Sequence, residues 1–266
     1  MLGNRVSPWV ACAVAFALSL LPAHPSGAAG SLGEVIDCWQ KSLPPSAHGG
    51  FVLTWKNGKG EERRIEGNYW GEQPQDGPRR VIVASTGHTG GKPAAYLFSE
   101  GDEIGDAWIW TPGQTSPRHM HSHEGELFGT DITLEDFARI LFPGQLRRLD
   151  DTTLDGRPAY VIQTTPAPDE GSQYERIVSA LDKEWCVVLR RECFETGFEG
   201  GKVARKVLSS DPTAVKHEHG YARATGALLK DAKDGSETRV ELVDLSLDAK
   251  LPDGFFAPEK LGEKVK

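Results

Sequence analysis

Between residues 51 and 249 one strand-length run follows another with little helical pattern between them, and this succession restricts the chain to a mainly β fold. Phe51, Leu53 and Trp55 alternate with Val52, Thr54 and Lys56, and Asn57-Gly58 marks a tight turn into a charged strand around residues 61–70. Runs at 80–85, 94–99, 106–111, 157–165, 174–182, 186–195, 202–209, 221–230 and 237–249 read the same way. The turn pairs Asp155-Gly156 and Asp234-Gly235 sit where hairpins need them. Two helical patterns interrupt the strands. In 31–43, Leu32, Val35, Ile36 and Trp39 share a face and Pro44-Pro45 ends the run. In 134–142, Thr133-Leu134-Glu135-Asp136 has capping-box spacing and Pro143-Gly144 supplies the stop. No repeat, linker or low-complexity stretch divides residues 30–266, so the pattern predicts one domain, a barrel or a strongly curved antiparallel sheet.

Several strands are apolar on both faces: Val81-Ile82-Val83, Tyr96-Leu97-Phe98, Trp108-Ile109-Trp110 and Ala159-Tyr160-Val161-Ile162. A sheet with one wet face alternates more cleanly. With few helices to cover a second face, the pattern predicts a wide sheet curled around an apolar interior and partly closed by those helices. An interior simply filled with side chains is the alternative, as in most small barrels. The expected concave-facing set is Phe51, Leu53, Trp55, Trp108, Trp110, Tyr160 and Leu242.

The N-terminus reads as an export signal. Arg5 supplies the charge, residues 6–23 are almost wholly apolar or small, and Pro25-Ser26-Gly27-Ala28-Ala29 offers small residues for cleavage after Ala28 or Ala29. Pro8 and Pro22 bracket an apolar core shorter than the roughly 20 residues of a spanning helix. Loss of Arg5 with the leader makes the mature balance one unit more acidic than the −8 of the full chain. Such a charge argues against nucleic acid and anionic lipid surfaces, yet says nothing of a cavity. Cys38, Cys186 and Cys193 remain, and in an oxidising compartment two of them are expected to pair. If Cys186 and Cys193 share one strand, they stand over about 20 Å apart, beyond the roughly 7 Å limit of a bridged Cα pair, so Cys38 is a partner. Strand parity puts Cys193 on the side of Trp185, Val187 and Leu189, the better-buried face, which leaves Cys38–Cys193 and Cys38–Cys186 both open.

Two stretches carry a family resemblance. The first is Ala107-Trp108-Ile109-Trp110-Thr111-Pro112, then Arg118, then Leu127-Phe128-Gly129-Thr130-Asp131-Ile132-Thr133-Leu134-Glu135-Asp136-Phe137. The second is Asp155-Gly156-Arg157-Pro158-Ala159-Tyr160-Val161, followed by Tyr174-Glu175-Arg176 and Asp182-Lys183-Glu184. With the closing Leu251-Pro252-Asp253-Gly254-Phe255-Phe256, the chain resembles, from about residue 34 to residue 261, the bacterial outer membrane lipoprotein-sorting family of the LolA-like periplasmic lipoprotein carrier superfamily. The resemblance implies a LolA-like incomplete antiparallel β-barrel covered by short helices, with an apolar concave face. It implies a periplasmic, non-enzymatic carrier or chaperone that needs no cofactor and shields acyl chains of a lipoprotein or lipid. The alternative within the same resemblance is an accessory subunit of an inner-membrane export transporter that carries nothing itself. Some relatives place one cysteine in the first helix and one in an Asp-x-Glu-x-Cys context. Asp182-Lys183-Glu184-Trp185-Cys186 fits that context, so the resemblance implies Cys38–Cys186 where parity favours Cys193.

The chain departs from the family pattern at His119-Met120-His121-Ser122-His123-Glu124, with an echo in His217-Glu218-His219. On a strand His119, His121 and His123 share a face within reach of one metal ion, which makes a periplasmic metal-binding protein the weaker alternative to a solvated polar loop. No second histidine follows at zinc-protease spacing. Of the acidic residues in the family motif, Asp136 reads as the cap partner of Thr133, while Asp131 and Glu135 fit an exposed first turn. No nucleophile elbow or phosphate-cradling glycine loop is present. The leader reading is checked by N-terminal sequencing of the exported protein. A start at Ala29 or Gly30 in the periplasmic fraction is expected, and an intact Met1 on membrane-bound protein contradicts it.

Overall fold

A computed structural model describes residues 31–74, 77–85, 87, 93–100, 107–120, 125–137, 144–168 and 171–265. Residues 1–30, where a leader is expected, and His121 and His123 lie outside these residues. Helix α1 (Leu32–Ser42) leads into strands β1 (Ser46–Lys56), β2 (Glu62–Glu72), β3 (Arg79–Ser85), β4 (Ala94–Glu100), β5 (Ala107–Trp110) and β6 (Arg118–Met120). The short helix α2 (Leu134–Phe137) precedes β7 (Gly144–Leu154), β8 (Arg157–Pro166), β9 (Tyr174–Asp182), β10 (Val188–Glu195) and β11 (Lys206–Ser210). A hairpin of β12 (Val215–Glu218) and β13 (Tyr221–Ala224) comes next, then β14 (Gly226–Asp231) and β15 (Ser236–Leu247). Among the described residues no helix is long and apolar enough to cross a membrane.

Thirteen strands form one antiparallel sheet in the order β6-β5-β4-β3-β2-β1-β15-β14-β11-β10-β9-β8-β7, and β12-β13 stands apart as a ribbon. The sheet is open, the incomplete barrel that the resemblance implies. The path is simple. From β1 in the middle the chain meanders outward to the β6 edge, jumps to the opposite edge at β7, and meanders inward until β15 pairs with β1. The jump is the reason for α2: a chain that must cross from one edge to the other carries residues 125–137 over the concave face. Leu127, Ile132 and Leu134 are buried there, and the Phe128 ring packs 5.6 Å from Phe51 and 5.1 Å, edge-on, from Tyr96. Gly67 makes this possible, because a Cβ at that position would overlap the Phe51 ring.

Both faces of the sheet are covered, which accounts for strands apolar on both sides. The concave face carries Phe51, Leu53, Tyr69, Val83, Tyr96 and Val240 under the crossing segment. The convex face carries Ile82, Ala84, Ala95 and Leu97 with Trp70, Trp108 and Trp110, and the C-terminal residues Phe255, Phe256 and Leu261 lie over them. Gly262 packs against the Trp110 indole so closely that a Cβ would stand 2.9 Å from the ring. The placement of Trp108 and Trp110 therefore differs from the expected concave one. Trp108 pairs with Leu97 on β4 and Ile109 with Tyr96, so it is Ile109 that shares the concave parity.

Helix α1 caps the other half of the concave face. Ser31 accepts a hydrogen bond from the Glu34 amide to start the helix, and Val35 and Trp39 bury against Ile162 and Leu181 beside Tyr160. The Cys38–Cys186 disulfide fixes the helix there, with Cα atoms 5.3 Å apart and 148 residues between them in sequence. The Asp-x-Glu-x-Cys segment is a turn that Asp182 organises. Its carboxylate accepts from the Glu184 amide at 2.9 Å and the Trp185 amide at 2.7 Å, and it pairs with Arg157, whose guanidinium stacks 3.5 Å from the Trp185 ring. Burial works against the Asp182 charge, but Arg157 and the two amides outweigh it and hold the carboxyl below its ordinary value. Cys186 thus sits before β10, at φ 58°, and strand parity does not apply to it. Cys193 is a buried free thiol.

Three strands escaped the sequence pattern: β6, β7 and β12. The 221–230 run divides at Thr225 into β13 and β14. Helix α2 is described over four residues, with 138–143 outside the described set. Joint replacement of Cys38 and Cys186 by serine is expected to lower stability in urea unfolding by about 2–4 kcal/mol, the usual worth of a long-loop disulfide. A loss below about 0.5 kcal/mol would mean that α1 is held by its apolar face alone.

Candidate functional site

On the concave face an apolar cleft of about 180 Å³ opens between the end of α1, the β12-β13 ribbon and the sheet. Trp39 and Leu43 form one wall, Ala222 and Arg223 another, and Leu208, Val240 and Leu242 the floor. The ribbon is seated by Glu218, which accepts from the Leu247 amide at 2.6 Å, by the His217 and Trp185 rings, which meet edge-on at 5.0 Å, and by Ala222 and Val215, which join Val161, Ala180, Val187 and Leu189 in an apolar cluster.

Of the seven residues expected to line one concave surface, Leu242 lines the cleft. Phe51 and Leu53 share its face but are buried beneath the crossing segment. Trp55 is half-buried under the Arg63 guanidinium, 4.2 Å from its ring, and Tyr160 packs beside α1. Trp108 and Trp110 are on the convex side. His119, half-buried, stacks edge-on against Trp108 with ring centres 5.1 Å apart. Among the described residues no group of three His, Cys, Asp or Glu side chains is placed to hold a metal ion.

Beneath the cleft lies a buried polar network built on the family motif. Thr133 and Asp136 cap α2 as the sequence predicts: the Thr133 amide donates to the Asp136 carboxylate at 2.8 Å, and the Asp136 amide reaches the Thr133 hydroxyl at 3.4 Å. The same carboxylate receives the Lys206 ammonium at 2.9 Å and the Tyr174 hydroxyl at 2.7 Å, while Arg191 donates to the Asp136 carbonyl at 3.1 Å. Lys206 also donates to the Asp131 carbonyl. Asp131 and Glu135 are buried, not on an exposed first turn, because the crossing segment lies against the sheet and the loop at 172–174 closes over it. Glu135 accepts from the Ser172 hydroxyl and, at 3.2 Å, from the Gln173 amide. Burial raises the Glu135 carboxyl above its ordinary 4.5, opposed by those hydrogen bonds. Burial, with Asp136 adjacent, keeps the Tyr174 hydroxyl protonated far above its usual range, and burial does the same to the Cys193 thiol. In this state Cys193 has no thiolate to offer as a nucleophile. A neighbouring polar cleft of about 300 Å³ is walled by Glu195, Arg205 and Asp231, which pair with one another.

Sequence reasoning missed Lys206, Arg191 and Arg79. Their signal lay in parity: Arg191 faces Ser179 and Leu208 across the sheet, and Lys206 faces Cys193, so both charges stand at inward positions.

A family model described only as "-like: Uncharacterized protein" matches residues 92–263, more than half of the chain. The chain belongs to that family. No curated protein matches the sequence. Solved structures match it closely in shape. A DUF1329 family protein from Desulfovibrio piger aligns with TM-score 0.75 at 17% identity, covering 86% of this chain and 96% of its own. An outer membrane lipoprotein-sorting protein domain from Vibrio parahaemolyticus gives 0.73 at 18% identity, over 86% of this chain and 97% of the other. A LolA superfamily protein from Nitrosomonas europaea gives 0.63 at 19% identity, with 86% and 98% covered. The fold is LolA-like.

Lys206→Met strands the buried Asp136 carboxylate and is expected to cost about 3–5 kcal/mol in denaturant unfolding, with the added Asp136→Leu change costing less than the two single changes together. Additive losses would contradict the pairing. Glu135 supplies a pH signature. Its folded value is raised, so its contribution to stability is complete below the unfolded value of about 4.5 and is lost as pH rises through the folded one. Glu135→Gln is expected to flatten that decline, and an unchanged pH–stability curve would show that the carboxyl is not buried in solution.

Proposed function

We propose that the protein is an exported periplasmic carrier that shields an acyl chain of a lipid or lipoprotein in the concave cleft and performs no chemistry on it. The observation that carries the reading is the apolar cleft itself, placed on the concave face of an open LolA-like sheet between a disulfide-tied helix and a separate hairpin. Each methylene withdrawn from water contributes about 0.8 kcal/mol, so burial alone supplies micromolar affinity once roughly ten are enclosed. The lipoprotein-sorting description of the Vibrio parahaemolyticus domain, which shares this fold, is consistent with such cargo.

At about 180 Å³ the cleft is smaller than the roughly 300–1,000 Å³ of pockets that enclose drug-sized ligands. On this reading a longer chain enters when a wall of the cleft moves. The Cys38–Cys186 bridge ties the α1 wall to the sheet covalently, which leaves the β12-β13 ribbon, held only by non-covalent contacts of Glu218, His217, Ala222 and Val215, as the wall that moves.

A fluorescent fatty-acid probe tests the reading. Leu242→Asp places a charge on the cleft floor and Ala227→Phe fills its space. Each is expected to weaken binding at least about tenfold, or about 1.4 kcal/mol, in protein whose circular dichroism is unchanged. Equal binding by the wild type and both folded variants would place the ligand elsewhere.

A further inference from the structure

The polar cleft beside the family motif opens between three parts of the chain. The crossing segment supplies Glu126, Asp131 and Thr133, Gln173 comes from the turn ahead of β9, and Arg205, Lys206 and Asp231 stand at strand ends. At about 300 Å³ it is larger than the apolar cleft. The two meet at one ion pair, since Lys206 lines the polar cleft and its partner Asp136 lines the apolar one.

The cations of the polar cleft are already matched. Arg205 reaches Glu195 and, at 3.3 Å, Asp231. Lys206 is committed to the Asp136 carboxylate at 2.9 Å and otherwise donates to the main-chain carbonyl of Asp131, not to its side chain. Two carboxylates are left over. Asp131 is 9% exposed, and among the described residues its carboxylate takes part in no ion pair and accepts one hydrogen bond, from the Thr238 hydroxyl at a long 3.4 Å. Glu126, exposed at the rim, has no hydrogen-bond or ion-pair partner among the described residues. A strand-like bridge to Thr133 holds its backbone beside the α2 cap. A carboxylate shut away from water without a cation is unfavourable, and a ligand that brings the missing positive charge relieves it.

The groups left open are acceptors. Gln173 donates its side-chain amide to the Thr133 hydroxyl at 3.1 Å, which leaves its carbonyl oxygen to accept. An ammonium is the complementary group, with three donors and no acceptor. A bare metal ion fits less well. Hard cations such as calcium take roughly six or more oxygen ligands, and among the described residues no three His, Cys, Asp or Glu side chains are placed to hold a metal. The formal net charge of −8 favours the approach of a cation from a distance.

We propose that the polar cleft binds a primary ammonium group, that of a small free amine or of an amine-bearing lipid head group, with Asp131 as the buried anchor and Glu126 as the contact at the rim. The inference does not rest on the acyl-carrier reading, because it concerns a different cleft and a different chemistry.

NMR titration of the isotope-labelled protein with ethanolamine, glycerophosphoethanolamine, acetate and calcium ion tests it. One or both amines are expected to shift the amide resonances of Glu126, Asp131 and Gln173 saturably, and acetate is expected to leave them in place. The tighter of the two amines identifies the source, a free amine or a lipid head group. Asp131→Asn, nearly isosteric, is expected to weaken amine binding at least about tenfold, and Glu126→Gln, at an exposed position that leaves folding intact, at least about twofold. Absence of a saturable shift with either amine at about 20 mM overturns the site. Acetate shifting the same resonances, or calcium binding at least as tightly as both amines, overturns the ammonium assignment. Undiminished affinity in the Glu126→Gln protein, or in folded Asp131→Asn protein, overturns the assigned contacts.

Discussion

Thirteen strands in one open sheet present two faces and two edges, and in this chain both faces carry apolar side chains that need cover. The covers come from three places along the sequence. The C-terminal residues around Phe255 and Leu261 close the convex side of β2–β5, α1 closes half of the concave side, and the segment that must cross from β6 to β7 closes the other half. Between the last two a gap remains, bridged by the β12-β13 ribbon, and that gap is the cleft. The site is therefore a consequence of topology: an edge-to-edge crossing and a leading helix each cover part of a surface too wide for either.

Each concave cover is fastened by something more specific than apolar contact. For α1 it is the disulfide to Cys186, presented by the turn that Asp182 and Arg157 organise. For the crossing segment it is Asp136, which caps α2 and at the same time receives Lys206 and Tyr174 from the sheet below. A buried ion pair gives little net stability relative to an apolar replacement, but it is expensive to break, so it fixes where the segment sits. With both covers fastened, the ribbon is held to the rest of the fold without a covalent tie, by Glu218, by the His217–Trp185 contact and by the apolar packing of Ala222 and Val215.

Much of this was legible from residues alone, for stated reasons. Strand-length runs closed by turn pairs gave the mainly β class, and Asp155-Gly156 forms the two-residue turn it promised, with both residues at positive φ. By contrast Asn57-Gly58 opens a five-residue loop, because the Asn57 side chain accepts from the Lys59 and Glu61 amides instead of closing a tight turn. Strand β7 was missed because it is an edge strand, largely exposed and rich in Arg and Asp, with few apolar residues to alternate. Parity failed for Trp108 and Trp110 because both faces of β5 are covered, so aromatic content could not tell inside from outside. The burial of Asp131 and Glu135 depends on a chain crossing that no local pattern encodes, and the inward arginines become visible only when registers across several strands are known.

The central claim is that the cleft holds a lipid chain in the cell. Native mass spectrometry of the protein purified without detergent from its own cells tests it most directly. The account predicts a population heavier than the bare polypeptide by the mass of a bound lipid or acyl species. A protein that arrives uniformly at the mass of the bare polypeptide, and stays so after incubation with lipid extract from the same cells, would contradict it.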